Sequence, residues 1–311
     1  MAVSCRLVHA TLRTWHRRRR VFVRGAPAAA GLMLMLLLGG CGTKEALPGA
    51  RDDFDQPIPA ITSAQRIVSL GPSSTEILHA LGVGERLVGR SRWDRWPDAV
   101  TTVPEAGDAI RPSIERILAL RPDLVILYAA IDNRSAADAL ARSGIPVVSL
   151  RIDRIEQYLR AVALLGTLAG APQRADSIVG GLRAELDAVR RRTAGASRPS
   201  VFIPAWEQPL MTLGSGSFLS ELLEIAGATN VYGERTEPSL TVSMEDVVRR
   251  DPDVVLTGPV SAARIRQDPA WRVLRAVREG RIVVYDTTLV SQPSTRLGQA
   301  ARALAALLHP A

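Results

Sequence analysis

The chain has 311 residues, of which 47% are hydrophobic, and this is enough for one large or two medium-sized globular domains. Its formal net charge of +8 would suit a polyanionic partner, but residues 1–40 contain seven Arg and no acidic residue. The remainder is therefore nearly neutral, which argues against a nucleic-acid-binding protein. The two cysteines, Cys5 and Cys41, exclude a disulfide framework in the folded part.

Residues 1–40 are typical of a lipoprotein signal peptide. A basic segment precedes an apolar run at residues 31–38, which is too short to span a bilayer. The run ends in L-G-G-C, which resembles a bacterial lipobox, so we expect Cys41 to be lipidated and to become the new N-terminus. An ordinary signal peptide with an incidental Cys is the alternative. R-R-V-F-V-R at residues 19–24 resembles the twin-arginine export motif, although Arg-rich leaders also serve general secretion.

Residues 41–61 contain Gly and Pro among charged residues and have no periodic apolar pattern. This composition predicts a lipid-anchored flexible linker. The folded part would then work beside a membrane, outside the cytoplasm.

Residues 62–171 predict a first lobe in which strands alternate with helices. Apolar strands are expected near residues 66–70, 87–89, 124–128 and 146–150, and S-S-T-E at residues 73–76 reads as a helix-capping box after a turn at Gly71-Pro72. Alternating strands and helices indicate parallel pairing, and ligands in such folds bind in loops beyond the strand C-termini. Those loops begin after Leu70, Gly89 and Leu127.

A long helix and a second lobe follow. Residues 172–197 predict a connecting segment whose helix runs to about Ala194, and about 22 residues at 1.5 Å each give a spine of about 33 Å between the lobes. Residues 198–311 repeat the alternation, with strands expected at 201–203, 230–232, 254–257 and 281–285. The fold class expected is therefore α/β, with two lobes of mainly parallel sheet joined by one long rigid helix.

One sequence motif, called the repeated phrase below, occurs in both lobes. Residues 113–127 read S-I-E-R-I-L-A-L-R-P-D-L-V-I-L, and residues 243–257 read S-M-E-D-V-V-R-R-D-P-D-V-V-L-T. In each copy a Ser opens a helix, a Glu follows two residues later, a Pro-Asp breaks the helix, and an apolar strand comes next. Two copies at this distance indicate two similar lobes and not a solenoid, which needs three or more short repeats.

These phrases, together with R-I-V-S-L-G-P-S-S-T-E at residues 66–76 and S-F-L-S-E-L-L-E-I-A-G-A-T-N at residues 217–230, resemble the substrate-binding proteins of ABC importers for cobalamin, ferric siderophores and haem. The resemblance covers nearly all of residues 62–308. It implies a class III periplasmic-binding-protein fold that holds a metal chelate between its lobes as a monomer, without a cofactor of its own. It also implies that Glu115 and Glu245 dock into arginine pockets of a permease dimer. Alternatively, these two acids only complement the positive ends of their helix dipoles.

The same resemblance suggests the pocket residues. Further Trp residues would be expected where Ala109 and Ser239 stand, and an Arg where Gln292 stands, so the cobalamin pattern is incomplete. Flat aromatic side chains suit a planar or bulky chelate. The ligand-binding residues expected are Trp93, Tyr128, Trp206, Met211, Gln292 and Arg92.

The arginines of the candidate cleft loops leave an alternative ligand open. They would suit an anionic siderophore or haem propionates, unless they only form a solvated surface. This set consists of Arg90, Arg92, Arg111 and Arg235.

Other classes of protein lack their characteristic residues. A site for a bare metal ion would need His, Cys and carboxylate ligands, and the folded part has only His79 and His309 and no spare Cys. No nucleophile, base and carboxylate can be assembled around one internal His. A chelatase-like enzyme, or another metal-tetrapyrrole enzyme on a similar bilobal fold, is the alternative function.

Overall fold

The computed structural model describes residues 50–310. The predicted signal peptide and the predicted lipidation site at Cys41 lie outside the described residues. No helix within residues 50–310 combines the length and hydropathy of a membrane span.

The first lobe is built on a parallel sheet whose strands are β1 (Ile67–Leu70), β2 (Leu87–Arg90), β3 (Leu124–Tyr128) and β4 (Val147–Leu150), in the order β2-β1-β3-β4. Its helices are α1 (Pro72–Ala80), α2 (Ile114–Ala119), α3 (Arg134–Arg142) and α4 (Ile155–Leu168). The central strands are buried on both faces, as expected of a parallel sheet covered by helices.

Helix α5 (Pro172–Thr193) is the long helix that the sequence predicts. Its buried residues include Leu182, Leu186 and Val189, spaced three and four apart on one face. It packs against α4 of the first lobe and against α11 (Leu297–Leu308), which closes the second lobe. The helix therefore shares its apolar face with both lobes.

The second lobe contains a parallel sheet in the order β11-β10-β5-β8, formed by β5 (Ser200–Phe202), β8 (Thr229–Asn230), β10 (Val254–Thr257) and β11 (Ile282–Val284). An antiparallel sheet of β6 (Trp206–Glu207), β7 (Leu210–Leu213) and β9 (Ser239–Thr241) is added to it. The remaining helices are α6 (Phe218–Ile225), α7 (Met244–Arg250), α8 (Pro259–Gln267), α9 (Arg275–Arg278) and α10 (Thr287–Val290). The predicted fold class of two α/β lobes is confirmed, and the antiparallel sheet was not predicted.

The repeated phrase performs the same structural task in each lobe. Asp123 accepts hydrogen bonds from the backbone N–H groups of Gln65 and Arg66, at 2.8 and 2.9 Å, just before β1. Asp253 accepts one from the N–H of Ser200 at 2.9 Å, at the start of β5. The Asp of each Pro-Asp thus holds the first strand of its lobe beside the strand that ends the phrase.

Two local predictions in the first lobe are wrong. Pro72 does not turn the chain, because α1 begins at this residue after Gly71 and needs no side-chain cap. Glu76 is not part of a capping box but is buried at the contact between the lobes.

The predicted flexible linker is also wrong for residues 50–61. Phe54 and Ile58 are buried against the first lobe, and the carboxylate of Asp52 accepts a hydrogen bond from the N–H of Ser149 in β4 at 2.9 Å. The apolar side chains are too widely spaced to form a periodic pattern, so their burial depends on a surface that only the folded lobe offers.

Candidate functional site

A cavity of about 430 Å³ lies between the two lobes. The first lobe contributes the start of α1, the loop after β2 and the ends of β3 and β4, while the second lobe contributes β7, the start of α6, the start of β9 and the loop at residues 291–293. Gly71 directly follows β1, and the contributing ends of β3 and β4 are carboxyl ends, as expected for a parallel sheet. The size is within the range of small-molecule pockets.

The lobes are joined by hydrogen bonds on two sides of this cavity. On one side, the Ser73 hydroxyl donates to the carbonyl of Pro293 at 2.8 Å, and the Thr295 hydroxyl donates to Glu76 at 2.7 Å. On the other side, the N–H of Phe218 donates to the carbonyl of Asp153 at 2.7 Å. Glu221 there accepts from the guanidinium of Arg154.

Two of the predicted ligand-binding residues line the cavity. Tyr128 ends β3 and donates its hydroxyl hydrogen to Asp153 Oδ1 at 2.7 Å. Burial first, and then this bond to Asp153, raise the pKa of the Tyr128 phenol well above its usual range. Gln292 lines the cavity from the second lobe. Tyr128 is therefore a neutral hydrogen-bonding group in the site.

The other four predicted ligand-binding residues are not in the cavity lining. Trp93 is 54% exposed, in the loop after β2, and Trp206 is 62% exposed, at the start of β6. Met211 lies opposite Trp206 in the β6–β7 hairpin and is half-buried. Arg92 forms an ion pair with Asp108 at 2.9 Å and stacks over the Trp93 ring at 4.9 Å. Trp93, Arg92 and Met211 lie on elements that contribute other residues to the lining, and Trp206 lies on β6, which pairs with β7 of that lining.

A buried carboxyl group holds the loop that carries Trp93 in place. Asp94 is buried and accepts hydrogen bonds from the hydroxyls of Ser91 and Thr75 at 2.6 and 2.7 Å. Burial raises the pKa of Asp94, and the bonds from Ser91 and Thr75 oppose the increase only partly. The loop is thereby attached to α1.

The three departures from the cobalamin pattern fall inside the cavity. Ala109, Ser239 and Gln292 all belong to its lining. Small or uncharged side chains therefore stand where larger or cationic ones were expected, which changes the shape and the charge of this cavity and not a distant surface.

The sequence did not predict one part of the cavity wall, where residues of the first lobe meet residues of the second. Asp153, Ser217 and Phe218 line the cavity there. Asp153 follows the end of β4, so the rule that ligand loops follow parallel strands would have found it. Ser217 and Phe218 precede and begin a helix of the other lobe, and no sequence signal brings them to Asp153.

Glu115 and Glu245, the predicted docking residues, occupy equivalent places in the first turns of α2 and α7. Both side chains are exposed, and neither forms an ion pair with another described residue. By contrast, the neighbouring Asp246 is paired with Arg249 and Arg250. Among the described residues, no group of three or more His, Cys, Asp or Glu is arranged to hold a metal ion.

Two α/β lobes, a spanning helix and a cavity at their junction define a bilobed ligand-binding protein. The family model for periplasmic binding proteins matches residues 67–289, which is well over half of the chain. The chain therefore belongs to the periplasmic binding protein family, and the predicted resemblance is confirmed.

Relatives and solved structures agree with this membership. The chain is 29% identical over 304 residues, 91% of its length and 96% of the relative's, to the ABC transporter substrate-binding lipoprotein YvrC of Bacillus subtilis. It is 30% identical over 62% of its length and 71% of the relative's to the vitamin B12-binding protein of Pectobacterium carotovorum.

Two solved structures have the same fold. The periplasmic vitamin B12-binding protein BtuF of Vibrio cholerae matches with a TM-score of 0.71 and 25% identity, over 81% of this chain and 98% of that one. A periplasmic haem-binding protein of Pseudomonas aeruginosa matches with a TM-score of 0.70 and 28% identity, over 80% and 94%.

Proposed function

We propose that this protein captures a metal chelate in the cleft between its lobes and delivers it to the permease of an ABC importer. The observation that carries the proposal is the cavity of about 430 Å³ at the junction of two lobes that are hydrogen-bonded to each other beside it. Relatives named for vitamin B12 and for haem support a bulky, planar chelate as the ligand. The metal belongs to the cargo and is not a cofactor of the protein.

The residues divide into two proposed groups. Tyr128 and Gln292 contact the part of the ligand inside the cavity. The bordering residues cover the part that remains outside, because aromatic faces bury a large apolar area with little loss of conformational entropy. This second group consists of Trp93, Trp206, Met211 and Arg92.

The proposed partner surface is the pair of exposed carboxylates. Glu115 and Glu245 stand at the same position of the same repeated phrase, one on each lobe. Two equal acidic points suit a partner that presents two equal basic pockets, such as a permease dimer. Neither carboxylate would need to leave an internal ion pair before docking.

The protein is further proposed to work outside the cytoplasm as a monomer held to a membrane by a lipid on Cys41, and without binding nucleic acid. The lipobox-like L-G-G-C and the relation to a substrate-binding lipoprotein support the anchor. Mass spectrometry of the mature N-terminus tests it, because an uncut leader or a free thiol at Cys41 would contradict it. Export through the twin-arginine route stays a prediction from the sequence.

Membership of a binding-protein family favours transport over the chelatase-like alternative. The test is a tryptophan-fluorescence titration with cyanocobalamin, haem and ferric hydroxamates, followed by recovery of the ligand. Saturable quenching with unchanged ligand is expected, and Trp93→Phe and Trp206→Phe should each reduce it, whereas the buried Trp271 should contribute little. Absence of quenching by every chelate, or recovery of a ligand without its metal, would contradict the proposal.

A further inference from the structure

None of the described residues that line the cavity has a cationic side chain. Its polar groups are five serine hydroxyls, the Gln292 amide, the Tyr128 hydroxyl and the Asp153 carboxylate, and its other residues are apolar or glycine. An anionic group inserted here would lose its hydration and find no counter-charge. Burial of an unpaired charge is costly, and Asp153 would add repulsion between like charges.

None of the four arginines predicted for the cleft loops lines the cavity. Arg90 is buried, with its guanidinium bonded to backbone carbonyls and paired with Glu105 at 3.2 Å. Arg92 is paired with Asp108, and Arg235 with Glu237 at 2.7 Å. Arg111 is exposed and does not line the cavity. Three members of this predicted set are therefore neutralised, and the fourth lies outside.

Among the described residues, Asp153 supplies the one carboxylate of the lining, and only one of its two oxygens accepts a hydrogen bond. Asp153 Oδ1 accepts the hydrogen bond from Tyr128, whereas Oδ2 accepts none from the described residues. This second oxygen is an acceptor for an N–H group of a ligand. The hydroxyls of Ser217 and Ser239, which belong to the second lobe, can in turn donate to a ligand carbonyl.

We infer that the cavity takes the uncharged, amide-bearing end of a metal chelate and discriminates against chelates that would insert carboxylate or catecholate groups. The inference rests on the proposed function, and it adds the charge class of the ligand. Amide groups satisfy both halves of the lining, because their N–H donates to Asp153 and their carbonyl accepts from the serines. Carboxylates can do only the second.

The sharpest test uses one corrinoid in two charge forms. Dicyanocobinamide, whose side chains are amides, is compared with dicyanocobyrinic acid, in which those groups are carboxylates, so that metal and ring are unchanged. A second pair compares an uncharged ferric trihydroxamate with an anionic ferric tricatecholate. We expect the uncharged member of whichever pair binds to bind at least about tenfold more tightly at low salt, with the gap narrowing as salt screens the repulsion.

Substitutions should move this preference in a known direction. Gln292→Arg places a cation at the cavity and should shrink the preference for the uncharged form about tenfold, and Asp153→Asn should shrink it by removing the repulsion. Gln267→Arg, an exposed position at the end of α8, makes the same charge change outside the cavity and should leave the preference unchanged.

Equal or tighter binding of the anionic forms would overturn the inference alone, since the protein would still bind chelates. No change of preference in Gln292→Arg and Asp153→Asn would also overturn it. If the four probes and also cyanocobalamin and haem all fail to bind, the proposed function is overturned and this inference with it. If haem, which carries carboxylates, binds and the uncharged probes do not, only the inference is overturned.

Discussion

The carboxyl group of Glu76 in the first lobe accepts a hydrogen bond from the hydroxyl of Thr295 in the second lobe, at 2.7 Å. Glu76 is only 3% exposed, and the backbone N–H of Thr295 also donates to it at 3.2 Å. Arg296 follows with a longer ion-pair contact of 3.9 Å to Glu76 and stacks over Trp96 of the first lobe. A buried polar contact therefore ties the lobes together next to the cavity.

Removing the hydroxyl from this contact should destabilise the protein. Thr295→Val keeps the side-chain shape but leaves the buried Glu76 with a poorer set of donors, and we expect a loss of about 1–3 kcal/mol. Urea unfolding at neutral pH measures it. Thr102→Val, on an exposed turn, is the matched control and should change stability by no more than about 0.5 kcal/mol. Equal stabilities of the two variants would contradict the role of the contact.

Asp253 should make stability depend on pH in the acid range. The N–H and hydroxyl of Ser200 and the guanidinium of Arg275 lower the pKa of Asp253 from 3.8 to about 2. Because the pKa in the folded protein lies below that of the unfolded chain, the stabilisation is present above about pH 4 and is lost as the pH falls towards about 2.

Asp253→Asn should therefore be less stable than the wild type at pH 7, by about 1 kcal/mol once solvent screening of this partly exposed group is allowed for. The gap should close between about pH 4 and pH 2. Thermal or urea unfolding across that range measures it, with the exposed Asp98→Asn as control. A gap that stays constant over the range would refute the pKa assignment.

Reversing the charge at the proposed docking points should separate transport from binding. In Glu115→Arg, Glu245→Arg and the double variant, the carboxylates would become cations facing basic pockets, so uptake by cells that express the cognate importer should be lost, most completely in the double variant. Ligand affinity should stay within about twofold, because neither residue lines the cavity.

Glu224→Arg is the control for this experiment, since Glu224 is an exposed acid on α6 outside the repeated phrase. Its uptake should match that of the wild type. Undiminished uptake in the double variant would remove the docking role and leave the helix dipole as the reason for both acids.

The packed segment at residues 50–61 should contribute to the stability of the first lobe. Asp52 accepts backbone hydrogen bonds from Phe54, Gln56 and Ser149, each at 2.9 Å. Asp52→Ala would leave these donors without their acceptor, and we expect a loss of about 1–3 kcal/mol and faster proteolysis within the segment. Gln56→Ala, at an exposed side chain, serves as the control. If Asp52→Ala resisted protease as well as the control did, the segment would not contribute to the stability of the first lobe.

Much of the candidate site could not be predicted, because the sequence locates loops and not the directions of their side chains. The family resemblance suggested Tyr128, Trp93 and Trp206 as ligand-binding residues. Tyr128 lines the cavity, whereas Trp93 and Trp206 are largely exposed and do not line it. Whether a loop residue points inwards depends on contacts such as the one from Asp94 to Thr75, which joins a loop to a helix 19 residues earlier.

The sequence by itself determined the two α/β lobes, the long helix and the correspondence of Glu115 with Glu245, because apolar periodicity and a repeated phrase are local properties of the chain. Only the tertiary structure decided that β6, β7 and β9 form a sheet, that Phe54 is buried, and that Glu76 meets Thr295. Each of these depends on groups far apart in the chain, whose burial is favourable only when the partner surface has already formed. The same is true of the charge of the cavity, because only the folded chain shows that Arg90 and Arg92 pair with Glu105 and Asp108 and that no arginine lines it among the described residues.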